Sequence, residues 1–287
     1  MARGRQRSTV TREQAPDPEA LAARMRAIEA AAREAAAEVW ALHDRVAAEE
    51  KRPDDWVSEA DREADRLIRA ARDRRFPDDG WLSEESLSAS AAGAFTWVVD
   101  PIDGTREFLT GCPEHAVSIG LLWEGAAVGG AVAHPPSGVL MAGSVDEGRR
   151  PADTRKLPGA RGAEAGLRIL VSRTDVGRER FSGWPEELPL AAVGSIAYKL
   201  ALVAYGEGDA VVSLTGKSAW DVAGGFGVLR AVGLSPRFLD GQDRPLPSTN
   251  ERVPPFIVAR DPSLAQTLLE AAQNQRRRWT ESKARRP

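Results

Sequence analysis

The chain has 287 residues, 42% of them hydrophobic, and a net charge of −3. It is long enough to bury a large core in one domain or two closely packed ones, and no global field marks a nucleic acid polymer or a membrane as its main partner. A single cysteine, Cys112, excludes an intramolecular disulfide framework and fits a reducing cytoplasm.

In chain order, residues 1–16 read as a disordered basic tail, with Arg3, Arg5, Arg7 and Arg12 and no apolar segment of a secretory signal. Residues 18–50 are alanine-rich, and Leu21, Met25, Ile28, Ala32 and Val39 recur near helical spacing, which predicts a long amphipathic helix ended by Pro53. Residues 61–74 repeat the helical pattern, with Leu67 and Ile68 inward. Residues 95–100 read as a strand. Residues 116–123 and 126–134 read as a hairpin around Glu124-Gly125, and 139–144 as a further strand. The charged, Gly- and Pro-rich stretch 147–166 reads as a surface connection between an N-terminal half, 17–150, and a C-terminal half, 151–274. In the latter, 167–172, 210–214 and 256–259 are strand-like, whereas 196–205, 222–232 and 262–272 are helix-like. Residues 275–287 read as a frayed basic tail. Alternation of this kind predicts mixed α/β layers. No apolar run approaches the roughly 18 residues that span a bilayer.

The most informative stretch is Asp100-Pro101-Ile102-Asp103-Gly104-Thr105, which follows the apolar run Trp97-Val98-Val99. One carboxylate stands at the end of an extended segment and a second follows three residues later. Proline turns the chain and removes a donor. Gly104 admits backbone angles that bring N–H groups close to an anion, and Thr105 stands where a helix begins. Two carboxylates beside unpaired N–H groups suit hard cations and a phosphate together.

This hexapeptide resembles the signature of the lithium-sensitive, magnesium-dependent phosphatases, the superfamily of inositol monophosphatases, fructose-1,6-bisphosphatases and 3′(2′),5′-bisphosphate nucleotidases. Val57-Ser58-Glu59-Ala60-Asp61, Leu82-Ser83-Glu84-Glu85-Ser86 and Trp220-Asp221-Val222-Ala223-Gly224-Gly225 resemble its other motifs in the same order. The resemblance implies a layered α/β/α/β/α sandwich with the site between the halves. It implies two or three Mg²⁺ ions held by Glu84, Asp100, the Ile102 carbonyl, Asp103 and Asp221, with Asp100 bridging. Asp61 and Thr105 would orient and deprotonate an attacking water beside the ions, with Glu84 near it. Gly104 and Thr105 would present N–H groups to the phosphate. Cap and catalyst are both open readings of Asp61 and Asp221, because an acid at a helix start also complements the macrodipole.

Within the superfamily, Thr105-Arg106-Glu107-Phe108 and Leu82-Ser83-Glu84-Glu85 are similar to the bisphosphate nucleotidases of the CysQ type. Gly194-Ser195-Ile196-Ala197-Tyr198-Lys199 resembles a nucleotidase segment in which a lysine approaches a second phosphate, so Ser195, Lys199 and Asp221 are expected at the substrate. Lys217 and Arg106 are further candidate cations. Inositol enzymes commonly carry a glutamate on the strand before Trp-Asp, where this chain has Ser213-Leu214-Thr215. The resemblance therefore implies a phosphoric monoester hydrolase, a monomer or homodimer, that releases the 3′-phosphate of adenosine 3′,5′-bisphosphate. An inositol-1-phosphate or other sugar-phosphate monophosphatase is the alternative, and a non-catalytic phosphate- or partner-binding protein is the reading of another class. Gly224-Gly225 stands where the family usually has Ala-Ala or Ala-Gly. An interior glycine costs a helix about 1 kcal/mol relative to alanine, so a loosened helix after Asp221 is expected.

Competing motifs fail on spacing. Gly216-Lys217-Ser218 lacks the upstream glycine of a P-loop, since Val211 stands there, and Arg230 replaces the third glycine of a dinucleotide fingerprint. His43, His115 and His134 are scattered and read as structural.

Overall fold

The computed structural model describes residues 15–44, 48–52, 55–86, 94–158, 166–247 and 251–284. Helix α1 (Pro18–Leu42) starts at Asp17, whose carboxylate accepts from the N–H groups of Glu19 and Ala20 at 3.1 and 3.3 Å, with proline in the first turn. It ends eight residues before the expected limit at residue 50, because its buried face stops at Val39. Strand β1 (Ala48–Arg52) instead pairs antiparallel with β2 (Asp55–Ser58), so tertiary pairing overrides the local helical preference of an alanine- and glutamate-rich run. Residues 1–14 of the basic tail expected at 1–16 lie outside the described residues.

The first sheet is built by β3 (Gly80–Ser83), β4 (Phe95–Asp103), β5 (Ala116–Trp123), β6 (Ala126–His134), β7 (Val139–Ser144) and β8 (Gly148–Arg149) in that spatial order. Helix α2 (Glu59–Arg75) precedes it, and the short helix α3 (Thr105–Leu109) follows β4. The β5–β6 hairpin turns at Glu124 and Gly125, both at positive φ, as the two-residue turn signal predicts. The second sheet has the order β10-β9-β11-β13-β12, from β9 (Ile169–Ser172), β10 (Leu190–Val193), β11 (Ala210–Ser213), β12 (Arg237–Phe238) and β13 (Phe256–Ala259). Around it lie α4 (Arg173–Gly177), α5 (Ile196–Tyr205), α6 (Ala219–Arg230) and α7 (Pro262–Ala284). Helix α7 corrects the expectation of a frayed tail from 275. Gln275 is buried, and its side-chain amide donates to the carbonyls of Arg180 and Ser182 at 2.8 Å each, holding the helix beyond its predicted end at 272.

Helices α1 and α2 cover one face of the first sheet, and α6 covers the other with α5 beside it. Helix α5 reaches β9 and β11 of the second sheet, whose outer face is closed by α7. The result is the α/β/α/β/α sandwich. Because α5 lies between two sheets, all ten of its residues are buried, which explains why its hydrophobic pattern runs around the whole helix. Among the described residues no helix is long and apolar enough to cross a membrane.

The glycines of α6 lock this arrangement rather than loosen it. A Cβ at Gly227 would lie 2.0 Å from the Gly129 carbonyl oxygen, and one at Gly130 would lie 2.2 Å from that of Gly224. Backbone here touches backbone. The propensity cost of about 1 kcal/mol per glycine is outweighed by a contact no side chain would permit, and the helix that begins beside Asp221 is thereby seated on β5 and β6.

Candidate active site

Strand β4 does not stop at Asp100, as expected, but continues to Asp103 through an irregularity. Asp100 pairs with Ser118 and Asp103 with Ala116, so three steps on β4 oppose two on β5. In a regular strand, residues three apart face opposite sides. The one-residue bulge restores a common side, and Pro101, which cannot donate to a ladder, sits where bulges tolerate it. Both carboxylates consequently border one cavity of about 290 Å³. Gly104, at φ 96°, ends the strand and precedes α3.

The same cavity is bordered by Glu84, Ile102, Thr105 and Asp221, so the structure gathers the expected carboxylates from three distant parts of the chain. Glu84 follows β3, and its N–H donates to Val99 O at 3.2 Å. The turn that carries it is fixed by Asp65, which accepts from the hydroxyls of Ser83 and, at 2.9 Å, Ser86. No sequence motif singles out Asp65. Asp61 is 1% exposed and caps α2, its Oδ2 accepting from the Ser58 N–H at 2.8 Å and the Ser58 hydroxyl at 2.6 Å. Asp221 caps α6 by accepting from the Ser218 N–H at 2.8 Å. Thr105 Oγ1 donates its proton to the Ile102 carbonyl at 3.0 Å.

From the second sheet's side, the entry to α5 meets Asp103. Its Oδ2 accepts from Ser195 Oγ at 2.6 Å and the Ala197 N–H at 2.5 Å. Ser195 therefore contacts an expected ion ligand. Lys199, expected at the substrate, has its ammonium committed to backbone. It borders the cavity but is only 2% exposed, and its ammonium donates to the carbonyls of Val193, Gly194 and Ser195 at 2.8, 2.9 and 2.7 Å. All three protons are taken. Lys217 is half-buried in the same wall and has no ion-pair or hydrogen-bond partner for its ammonium among the described residues. Glu107, Ser172, Thr174, Arg178 and Ser213 also border the cavity. Of these, Glu107 and Ser213 lie inside segments the sequence marks, whereas Ser172, Thr174 and Arg178 carry no local signal of a site because only the placement of β9 and α4 brings them there.

The electrostatics follow from crowding acids out of water. Burial pushes the Asp100 carboxyl well above its ordinary range, and the charges of Glu84, Asp103, Asp221 and Asp61 push it further. Asp103 is raised by burial, against the pull of Ser195, the Ala197 N–H, Lys199 and Lys217. Asp221 is pushed up to about 6 by burial and then by Asp103, with Lys217 and the Ser218 N–H opposing. Asp100 Oδ1 is buried with no hydrogen-bond partner, a costly state for a carboxylate unless a cation compensates it.

Among the described residues no group of three or more acidic, histidine or cysteine side chains encloses an ion by itself. Mg²⁺ keeps several waters and takes one or two carboxylates together with substrate oxygens. Spaced acids around an open volume, with one orphaned oxygen, fit that donor set.

Comparisons with known proteins agree with this geometry. The inositol monophosphatase family model matches residues 17–277. An inositol-1-monophosphatase of Rhizobium meliloti is 32% identical over 232 residues, which cover 78% of this chain and 85% of the relative. Among solved structures, a Thermotoga maritima IMPase superposes with a TM-score of 0.71 at 22% identity, covering 90% of this chain and 98% of that one. CysQ from Bacteroides thetaiotaomicron superposes with a TM-score of 0.65 at 23% identity, covering 83% and 97%. The bulged strand with its paired aspartates, the five-layer sandwich and a family match spanning nearly all of the sequence agree, and the chain belongs to the inositol monophosphatase family.

Proposed function

We propose that the protein is a magnesium-dependent phosphatase that hydrolyses the 3′-phosphate of adenosine 3′,5′-bisphosphate to AMP and phosphate. The observation that carries the phosphatase reading is the buried, unpartnered Oδ1 of Asp100 in the midst of four other acids. Glu84, Asp100, Asp103, Asp221 and the Ile102 carbonyl would hold the ions. Bound divalent cations would offset phosphate charge and acidify a water.

The chain's own groups have distinct tasks in this reading. Asp61, fixed by Ser58, receives the proton of the attacking water. Thr105, whose proton is committed to Ile102, offers that water its lone pairs. The N–H groups of Gly104 and Thr105 take phosphate oxygens.

The nucleotide is favoured by the cations that line the cavity. Loop residues 214–218 supply no carboxylate for sugar hydroxyls and instead supply Lys217, with Arg178 also at the cavity. A second anionic group would meet the Lys217 ammonium there. The name of the Rhizobium relative supports the second reading, an inositol-1-monophosphatase. Phosphate release from both substrates, with and without magnesium, tests the choice. A higher kcat/KM for inositol 1-phosphate would reverse it, and no magnesium-dependent release from any phosphomonoester would defeat the phosphatase reading.

A further inference from the structure

The turn from Val193 to Ser195 is unusually constrained. The Gly194 N–H donates to Glu114 Oε2 at 2.7 Å, and a Cβ at Gly194 would lie 2.6 Å from both Glu107 Cγ and the Glu114 carbonyl oxygen. Ser195 sits at φ 44°, a left-handed angle that a serine adopts only at a cost. Lys199, one turn along α5, reaches back and collects the carbonyls of all three turn residues. Burying an ammonium is expensive unless its protons are taken, and here every acceptor belongs to this one turn. What the strained conformation achieves is the pair of donors, Ser195 Oγ and the Ala197 N–H, that grip a single oxygen of Asp103.

We infer that Lys199 is a positioning residue, whose buried ammonium holds Ser195 and the start of α5 in the one conformation that aims the carboxylate of Asp103 into the cavity. Asp103 comes from β4 of the first sheet and its orientation from the turn between β10 of the second sheet and α5, so the donor set for a cation is complete only when the two sheets are docked through α5. The inference rests on the reading of the cavity as a magnesium phosphatase site.

The test is Lys199→Met, which keeps the apolar stem and removes the donors. Magnesium binding is measured by calorimetry, alongside the magnesium dependence of phosphate release and the melting temperature. Magnesium affinity should fall by about tenfold or more, the loss that follows removal of a group orienting a metal ligand, and release should recover at high magnesium. A lowered melting temperature with unchanged magnesium affinity would overturn the inference by making Lys199 merely structural. So would a rise in KM confined to the bisphosphate with inositol 1-phosphate unaffected, which would make Lys199 a substrate contact. If Lys199→Met does not fold, Lys199→Gln decides, since its shorter side chain carries two protons and cannot serve all three carbonyls. Weakened magnesium binding supports the inference and unchanged binding overturns it. Wild-type protein that binds magnesium but releases no phosphate would defeat the phosphatase reading while the calorimetry still judges Lys199; wild-type protein that binds no magnesium would overturn both.

Discussion

Helices α2 and α6 open on the same local device, a serine followed three residues later by an aspartate, yet the two acids end in different circumstances. Asp61 Oδ2 takes both the N–H and the hydroxyl of Ser58. The hydroxyl of Ser218 instead accepts from Arg252 Nη1 at 3.0 Å, leaving the Ser218 N–H on Asp221 Oδ2. Asp61 is almost fully enclosed, whereas Asp221 borders the cavity and is half-buried. The local sequence makes a cap in both places, and the serine's tertiary partner decides how much of the aspartate is left for a ligand. One local device thus leaves Asp221 at the cavity and encloses Asp61.

The comparison can be broken most directly at the charge both acids face. Asp100→Asn should lower magnesium-dependent phosphate release by at least about 10²–10³-fold, the scale of losing one preorganised group that stabilises reaction charge. The metal-free variant should also melt above the wild type, because a buried carboxylate surrounded by like charges has been neutralised. Activity near wild-type would remove Asp100 from the site.

Seating of α6 is the next largest effect. Gly227→Ala gains helix propensity but forces a methyl into the Gly129 backbone, so a net loss of about 2–3 kcal/mol is expected in denaturant unfolding, with activity reduced because Asp221 moves. A stabilised variant would show that α6 does not rest on the sheet as described.

Caps and chemistry separate through paired substitutions. Asp61→Ala and Asp221→Ala each lose a helix cap, a cost of about 1 kcal/mol. The Asn variants keep an acceptor and should unfold close to wild-type while still losing activity. Full activity in Asp61→Asn would reduce that residue to a cap.

The smallest effects are in pH dependence, and they carry opposite signs. Asp221 is raised to about 6 in the fold, so its neutral form favours folding below the ordinary carboxylate range and that contribution is lost as pH rises through about 6. The melting temperature of metal-free protein should rise on mild acidification, and Asp221→Asn should flatten the rise. His115 behaves conversely. Burial lowers its ring to about 4, its Nδ1 is 3.0 Å from the Cys112 carbonyl and its Nε2 is buried without a partner. The ring is thus neutral in the fold, and stability falls as pH drops from about 6.5 toward 4, where the unfolded chain binds the proton first. His115→Asn should remove that acid-side loss by a few degrees of melting temperature.

Much of this molecule is legible in its amino-acid order. The hairpin at Glu124-Gly125, helix 196–205 and strand 256–259 appear with their predicted limits, because turn chemistry and hydrophobic period act locally. Strands β3 and β10 leave no such trace, since Gly80 in one and Ala191-Ala192 in the other are residue types depleted in strands. Motifs mark Glu84, Asp100, Asp103 and Asp221, whereas Asp65 and Glu114, which hold the turns around them, have no signature because their partners lie 18 to 80 residues away.

The order of acidic motifs along the chain, by itself, determined the family and the residues that gather in the cavity. Only the tertiary structure decided that the β4 bulge turns Asp100 and Asp103 to one side, that glycines bring α6 against the sheet, and that the ammonium of Lys199 donates to three carbonyls of one turn. The reason is physical. Residue type fixes what a group can donate or accept, but whether its protons and lone pairs remain free for a ligand depends on neighbours that only the packed chain supplies.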